Sequence, residues 1–264
     1  MFPVLYASEY LVLPTFFTMV MLGILVVTFF LYFRAPKLGF SQVVVLDLGI
    51  LGAVFGILGA RIFHIVVEAW DYYAEDFTRV FEFWRGGFVS YGAFIGGAAA
   101  VLAYLYIRKQ PVLKYADFVA TGIPILIFFI RLGCLGVGCC YGKPTDIFLH
   151  LTFNYPGTPP DEAHLLHLPL HATQVYGMLK AVFLFSFLNW FYPRRRFDGQ
   201  VVCLLFMIYP VLRALIETLR GDLDRGVYFG GTISTAQITG AVVFALAACA
   251  YAWLGKRSKT PGRP

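Results

Sequence analysis

The chain has 264 residues, of which 59% are hydrophobic and 14% are charged. Soluble domains carry about a quarter charged residues, so this balance argues against a water-soluble protein and indicates a membrane protein. The net charge of +6 could suggest a nucleic-acid partner. The basic residues, however, form short clusters between apolar runs, which is typical of topology signals and of contact with anionic lipids, so no nucleic-acid partner is predicted.

Seven apolar runs are long enough to cross a bilayer. We predict an all-α, polytopic membrane protein with one transmembrane domain over residues 1–264. The first run lacks the short apolar core and the preceding basic segment of a cleavable signal peptide. No convincing internal repeat is present, which weighs against the duplicated architecture of many transporters. The predicted spans lie near residues 10–33, 43–67, 88–107, 116–135, 171–192, 199–219 and 232–254.

Basic residues are concentrated in alternate joints between these spans. Examples are Arg34 with Lys37 after the first span and the run 194–196 after the fifth. Joints rich in lysine and arginine stay on the cytoplasmic side. The pattern therefore predicts an N-terminus outside and a C-terminus in the cytoplasm.

Charged residues inside the predicted spans are candidates for function. Glu217 follows Arg213 by four residues, so the two side chains share a helix face and can pair, which by itself also fits a structural ion pair. Arg131 has no acidic neighbour within a helical turn, so its partner is distant in sequence or is a ligand. Arg131 and Arg213 both fall toward the predicted outer ends of their spans. Two guanidiniums in that position suit a phosphate, which arginine binds in a bidentate manner.

Small residues dominate two spans, in "GILGAVFGILGA" and "RGGFVSYGAFIGGAAA". Most of these glycines indicate close helix packing. Tyr91, between Ser90 and Gly92, is either an interfacial anchor or a hydroxyl that reaches a ligand.

The five cysteines divide into two groups. Cys203 and Cys249 are isolated in apolar runs and are predicted to be small core residues. Cys134, Cys139 and Cys140 cluster at the outer end of the fourth span, where a disulfide from Cys134 to either neighbour is sterically possible. The spacing matches no standard zinc motif. We favour small residues that line a lipid cavity, and predict neither a metal nor a cofactor.

Five segments follow one another along the chain in this order: "FEFWRGGFVSYGAFIGG", "KYADFVATGIPI", "IRLGCLGVGCCYGKPTD", "LPLHATQVYG" and "YPVLRALIETLRGD…ISTAQ". Together they resemble the prolipoprotein diacylglyceryl transferase family from about Gly59 to Gln237. The resemblance implies a multi-pass enzyme of the bacterial inner membrane, surrounded by membrane lipids. Its reaction would move a diacylglyceryl group from phosphatidylglycerol to the lipobox cysteine of a prolipoprotein signal peptide and release glycerol phosphate.

The resemblance also implies roles for individual residues. Arg131 matches a signature arginine, and Arg213 matches an essential arginine, with Glu217 and Arg220 at the family spacing. The predicted catalytic residues are Arg131, Arg213 and Tyr91. The predicted substrate-binding residues are these three together with Gly92, Cys134, Cys139, Gln174, Tyr176 and Glu217.

Several positions depart from the family pattern. Tyr91 stands where many members have histidine, Cys134 replaces asparagine, and Cys139 stands where an acidic residue is common. Gly177 occupies a position that is usually glutamate, and Ile130 one that is usually glycine. These departures leave the general base unassigned. They keep two alternatives open: a membrane thiol oxidoreductase that uses the cysteine cluster, although no C-x-x-C is present, and a lipid-binding or transport paralogue without chemistry.

Overall fold

The computed structural model describes residues 4–7, 12–82, 86–153, 165–221, 226–228 and 233–259. These residues are mostly helical, with three short antiparallel strand pairs. The helices are α1 (Thr15–Arg34), α2 (Gln42–Phe63), α3 (Trp70–Glu75), α4 (Ser90–Ile107), α5 (Val112–Ala120), α6 (Ile123–Val137), α7 (Thr173–Phe191), α8 (Gln200–Glu217) and α9 (Thr235–Lys259). The strands are β1 (Val4–Ala7), β2 (Val12–Pro14), β3 (His150–Thr152), β4 (Pro169–His171), β5 (Val227–Tyr228) and β6 (Ile233–Ser234).

The apolar helices confirm the prediction of a multi-pass membrane protein. Six segments are each long and apolar enough to cross a membrane, and α5 with α6 passes the same test as a pair bent by 43°. Counted as one broken span, this pair brings the total over the described residues to seven. The six segments are Thr15–Arg34, Gln42–Glu68, Ser90–Ile107, Thr173–Arg194, Gln200–Glu217 and Thr235–Ser258. The single-domain assignment and the orientation of the termini stay predictions.

The break in the fourth span has a local cause. Pro124 lies in the first turn of α6 and has no backbone N–H to continue the ladder of α5. Just before the break, the buried carboxylate of Asp117 accepts hydrogen bonds from the backbone N–H groups of Gly199, Val201 and Val202 at 2.8, 2.9 and 3.0 Å. The short helix α5 therefore caps the beginning of α8, which fixes one end of a helix that carries site residues.

The described chain forms two compact units, one of residues 28–115 and the other of residues 1–27 and 116–264. In the unit of residues 28–115, α2 packs against α4 through glycines. A Cβ atom added to Gly59 would lie 3.0 Å from the Cα of Gly96, so no larger residue fits without a shift of the backbone. The glycine-rich segments thus serve the close helix packing that the sequence predicts.

Arg61 belongs to the same unit and is a structural anchor. Its side chain is 3% exposed. Its guanidinium donates to the backbone carbonyls of Arg79 at 2.8 Å, Glu82 at 3.2 Å and Gly86 at 2.5 Å. These bonds satisfy the buried cation and hold the segment that follows α3.

Candidate active site

The segment that follows α6 is held in place by the first turn of α7. Gly138 ends α6 with a left-handed φ of 89°, a conformation that glycine adopts at low cost. The side chain of Gln174 then donates to the carbonyl of Cys139 at 2.7 Å, and the hydroxyl of Thr173 donates to the carbonyl of Cys140. Gln174 is fully buried. The chain is thus fixed just beyond the end of the helix that carries Arg131.

Cations from three helices interact in the unit of residues 1–27 and 116–264. Arg131 from α6 and Arg213 from α8 both act electrostatically on Lys180 from α7. Lys180 is 6% exposed, its ammonium lies 4.2 Å from the centre of the Tyr209 ring, and it has no hydrogen-bond partner among the described residues. Within the same residues the Arg131 guanidinium makes no hydrogen bond or ion pair. The site therefore presents positive charge that the described protein does not neutralise.

The carboxylate of Glu217 balances part of this charge. Glu217 is buried and forms an ion pair with Arg213 one turn earlier, as the spacing predicts. A second guanidinium, that of Arg220, lies 3.5 Å from the same carboxylate oxygen. Arg131 and Lys180, by contrast, have no carboxylate partner among the described residues, while Arg213 can still donate its remaining N–H groups to a ligand.

Gly177 makes room for the arginine. A Cβ atom at this position would lie 2.7 Å from Cδ and 2.9 Å from Cγ of Arg131. The family pattern that the sequence resembles usually has glutamate at this position. The Cβ atom of a glutamate could not coexist with this position of the Arg131 side chain. The glycine therefore allows Arg131 to pass close to the backbone of α7.

The three clustered thiols lie next to these cations. Their sulfur atoms are all within 4.8 Å of one another, and all three cysteines are free. Arg131 interacts electrostatically with Cys134 and Cys140. This group could supply three soft ligands to a metal ion, but a tetrahedral zinc site needs a fourth. The absence of a metal stays a prediction.

Neighbouring groups act on the two adjacent thiols in opposite directions. Hydrogen bonding from Cys134 and Cys139 lowers the pKa of the Cys140 thiol below its usual range, and the guanidiniums of Arg220 and Arg131 also lower this pKa. Hydrogen bonding with Cys134 and Cys140, and then burial, raise the pKa of the Cys139 thiol. Cys140 is therefore the more acidic of the pair.

An apolar groove of about 300 Å³ lies between α7 and α8, and Lys180 is part of its lining. Lys180 is the one charged residue among the described residues that line it. Several of the lining side chains, including Leu179, Phe183 and Leu215, are more than half exposed. A groove with an apolar wall and one basic residue in its lining matches the two parts of a lipid, an acyl chain and an anionic headgroup. The other lining residues are Tyr176, Leu212 and Ile216.

Comparison with known proteins decides the family. The sequence pattern of the prolipoprotein diacylglyceryl transferases matches residues 3–253. The chain belongs to the prolipoprotein diacylglyceryl transferase family. The phosphatidylglycerol–prolipoprotein diacylglyceryl transferase of Clostridium tetani is 35% identical over 237 residues, which cover 89% of this chain and 90% of the relative. The second enzyme of that name from Clostridium perfringens is 32% identical, over 83% of this chain and 82% of the relative.

The prolipoprotein diacylglyceryl transferase fold brings together several residues singled out in the sequence. Arg131, Arg213, Glu217 and Cys134 lie in the charged cluster, and Gln174 and Cys139 meet directly beside it. Tyr176 lines the groove, while its hydroxyl donates to the carbonyl of Leu149 at 2.8 Å and so also ties down the segment before β3. The roles of these residues in the reaction stay predictions.

Tyr91 and Gly92 lie in the compact unit of residues 28–115. Tyr91 is 45% exposed in the first turn of α4. Gly92 packs against α2, where an added Cβ would lie 2.9 Å from the carbonyl carbon of Gly59. Close helix packing accounts for Gly92 as a glycine. The predicted contacts of both residues with substrate stay predictions.

Sequence reasoning missed Lys180 and Tyr209. Lys180 is the one charged residue in the run 171–192, and a charge in the middle of an apolar span is the same signal that identified Arg131. Tyr209 precedes Arg213 by one helical turn, so it lies on the same face of α8.

Proposed function

We propose that this protein transfers the diacylglyceryl group of phosphatidylglycerol to the lipobox cysteine of prolipoprotein signal peptides in the bacterial inner membrane, with release of glycerol phosphate. The names of the relatives support phosphatidylglycerol and prolipoprotein as substrates. The observation that carries the proposal is the Arg131 guanidinium, which binds no described residue and lies in a cluster with Lys180 and Arg213. A phosphodiester is an anion that this guanidinium can bind.

The reaction assigns a task to each cation. The peptide sulfur attacks the glyceryl carbon that carries the phosphate, a C–S bond forms, and the C–O bond breaks with its electron pair left on the phosphate oxygen. Arg131 and Arg213 donate hydrogen bonds to the phosphate where this charge develops. The same positive field favours the thiolate form of the attacking cysteine. The thiol proton passes to water.

The groove between α7 and α8 supports the lipid as substrate. Its apolar lining would hold one acyl chain, and the headgroup would lie at the level of Lys180 in the membrane. Membership of the transferase family favours this activity over the thiol oxidoreductase and over a non-catalytic lipid-binding protein.

Replacement of the arginines tests the proposal. Arg131→Ala and Arg213→Ala should each lower transfer about a hundredfold, because a charge-assisted contact to the phosphate contributes about 3 kcal/mol to transition-state stability. Lysine should restore little, since it keeps the charge and loses the bidentate geometry. The measurement is the mass of a lipobox peptide after incubation with phosphatidylglycerol and the purified protein.

Arg108→Ala is the matched control, because Arg108 is an exposed arginine at the end of α4. It should transfer at the wild-type rate. An unchanged peptide mass with the wild-type protein would refute the proposed activity. Near-normal turnover by both alanine variants would refute the assignment of these arginines to the phosphate.

A further inference from the structure

Lys180 is the most unusual charge in the described chain. It lies in the interior of α7, is 6% exposed, and its ammonium has no hydrogen-bond partner among the described residues. The ring of Tyr209 at 4.2 Å stabilises the cation only in part. Arg131 and Arg213 repel it. A buried ammonium beside two guanidiniums is costly without a counter-ion, and a bound anion would offset this cost.

The charge balance of the cluster indicates what kind of anion this is. Among the described residues, the cluster brings Arg131 and Lys180, for which no carboxylate partner is present, next to the ion pair of Arg213 with Glu217. A phosphodiester brings a single negative charge. A phosphate monoester brings close to two above neutral pH. The site therefore complements the monoester better than the diester.

We propose that Lys180 is a catalytic residue that binds the phosphate and stabilises the second negative charge formed on it as the C–O bond breaks. This inference rests on the proposed function. As the C–S bond forms, the phosphodiester monoanion becomes a monoester dianion, the electron pair stays on the phosphate oxygen, and the thiol proton passes to water. An interaction that strengthens as this charge develops raises the rate of the chemical step rather than the affinity for substrate.

Two contacts favour Lys180 over Arg220 for this task. Arg220 lies 3.5 Å from the Glu217 carboxylate, so part of its charge is already balanced. Lys180 lies one turn after Gly177, whose missing side chain allows Arg131 to reach the same face of α7. The ammonium and the unbonded guanidinium can thus bind the same phosphate group.

Anion binding tests the inference without catalysis. The probes are glycerol phosphate, a monoester, and glycerophosphoglycerol, a diester, measured by calorimetry in a phosphate-free detergent at neutral pH, where the monoester is already largely a dianion. Wild-type protein should prefer the monoester by about tenfold or more, and Lys180→Met should remove most of this preference. Lys114→Met is the matched control, since Lys114 is exposed on α5 and its loss changes the net charge equally.

Kinetics give the second measurement. Lys180→Met should lower kcat about tenfold or more and leave the KM for phosphatidylglycerol nearly unchanged, because the interaction belongs to the transition state. Lys180→Arg should recover part of kcat, since it restores the charge. If Lys180→Met does not fold, Lys180→Gln removes the charge and keeps a polar end, and the same two measurements apply to it.

The outcomes separate the inference from the proposed function. Equal weakening of both anions, or wild-type kcat in the uncharged variant, overturns the role of Lys180. A wild-type protein that transfers lipid yet binds both anions equally overturns the inference alone. A wild-type protein that prefers the monoester through Lys180 but does not modify the peptide supports the anion site and overturns the transferase activity.

Discussion

At the scale of single residues, a missing side chain matters as much as the charges. Gly177→Ala would place a Cβ atom 2.7 Å from Cδ of Arg131 and 3.0 Å from its Nε. The guanidinium must then move, and a displacement of about 1 Å at a reacting group can cost up to about a hundredfold in rate. We expect Gly177→Ala to lower peptide lipidation about ten- to hundredfold without a loss of folded protein, as measured by mass spectrometry and thermal unfolding.

Gly52→Ala is the control for this substitution. Its Cβ would meet only Val101, at the ordinary contact distance of 3.8 Å. It should leave transfer and stability close to wild type. Full activity of Gly177→Ala would show that the Arg131 side chain does not need the position described here.

Individual charges were predictable to the extent that they stand out in apolar runs. Arg131, Arg213 and Glu217 were identified in this way, and the pairing of Arg213 with Glu217 was confirmed. The contact between Gly177 and Arg131 was not predictable from the residues, because it depends on how α6 packs against α7. Lys180 carried the same signal as Arg131.

At the scale of elements, the segment after α6 shows that backbone contacts, rather than thiol chemistry, define its shape. The carbonyls of Cys139 and Cys140 accept hydrogen bonds from Gln174 and Thr173. Serine at positions 134, 139 and 140 would preserve these contacts and remove metal and redox chemistry. We expect the triple serine variant to keep transfer within about tenfold, or about 1.4 kcal/mol, of wild type.

The same assay includes a reductant and a chelator, neither of which should affect the wild-type rate. Cys249→Ser is the control, because Cys249 lies on α9 outside the cluster; it is exposed, so the prediction that it is a core residue is wrong. Sulfur atoms within 4.8 Å of one another could also form a disulfide or hold a soft metal. A folded but inactive triple variant, or loss of wild-type activity in reductant, would indicate that one of these is essential.

The helices themselves were predicted more completely than their breaks and caps. The fourth predicted span, 116–135, is a bent pair that begins at Val112 and ends at Val137. Hydropathy does not distinguish a broken span from a straight one, since both are apolar. The cap that Asp117 places on α8 joins residues 82 positions apart, and a lone aspartate in a span does not reveal which helix it binds.

At the scale of the whole molecule, the described helices leave much apolar surface uncovered by protein. In the most apolar stretch of the last segment, Thr235–Ser258, only 6% is buried within the structure. In the most apolar stretch of Thr15–Arg34, only 17% is buried. Lipid rather than protein must cover these faces. Hydrophobicity therefore determines which segments enter the membrane, but not which end lies on which side.

The basic residues predict the orientation of the chain in the membrane. Arg34 ends α1, Arg108 follows α4 and Arg194 follows α7, so these charges occupy alternate joints. Such joints remain cytoplasmic. We expect an outside N-terminus and a cytoplasmic C-terminus. A green fluorescent protein fused to the C-terminus should fluoresce, and alkaline phosphatase fused after Ile147, beyond α6, should be active. The reverse result for both reporters would place the basic joints outside and the headgroup site on the cytoplasmic side.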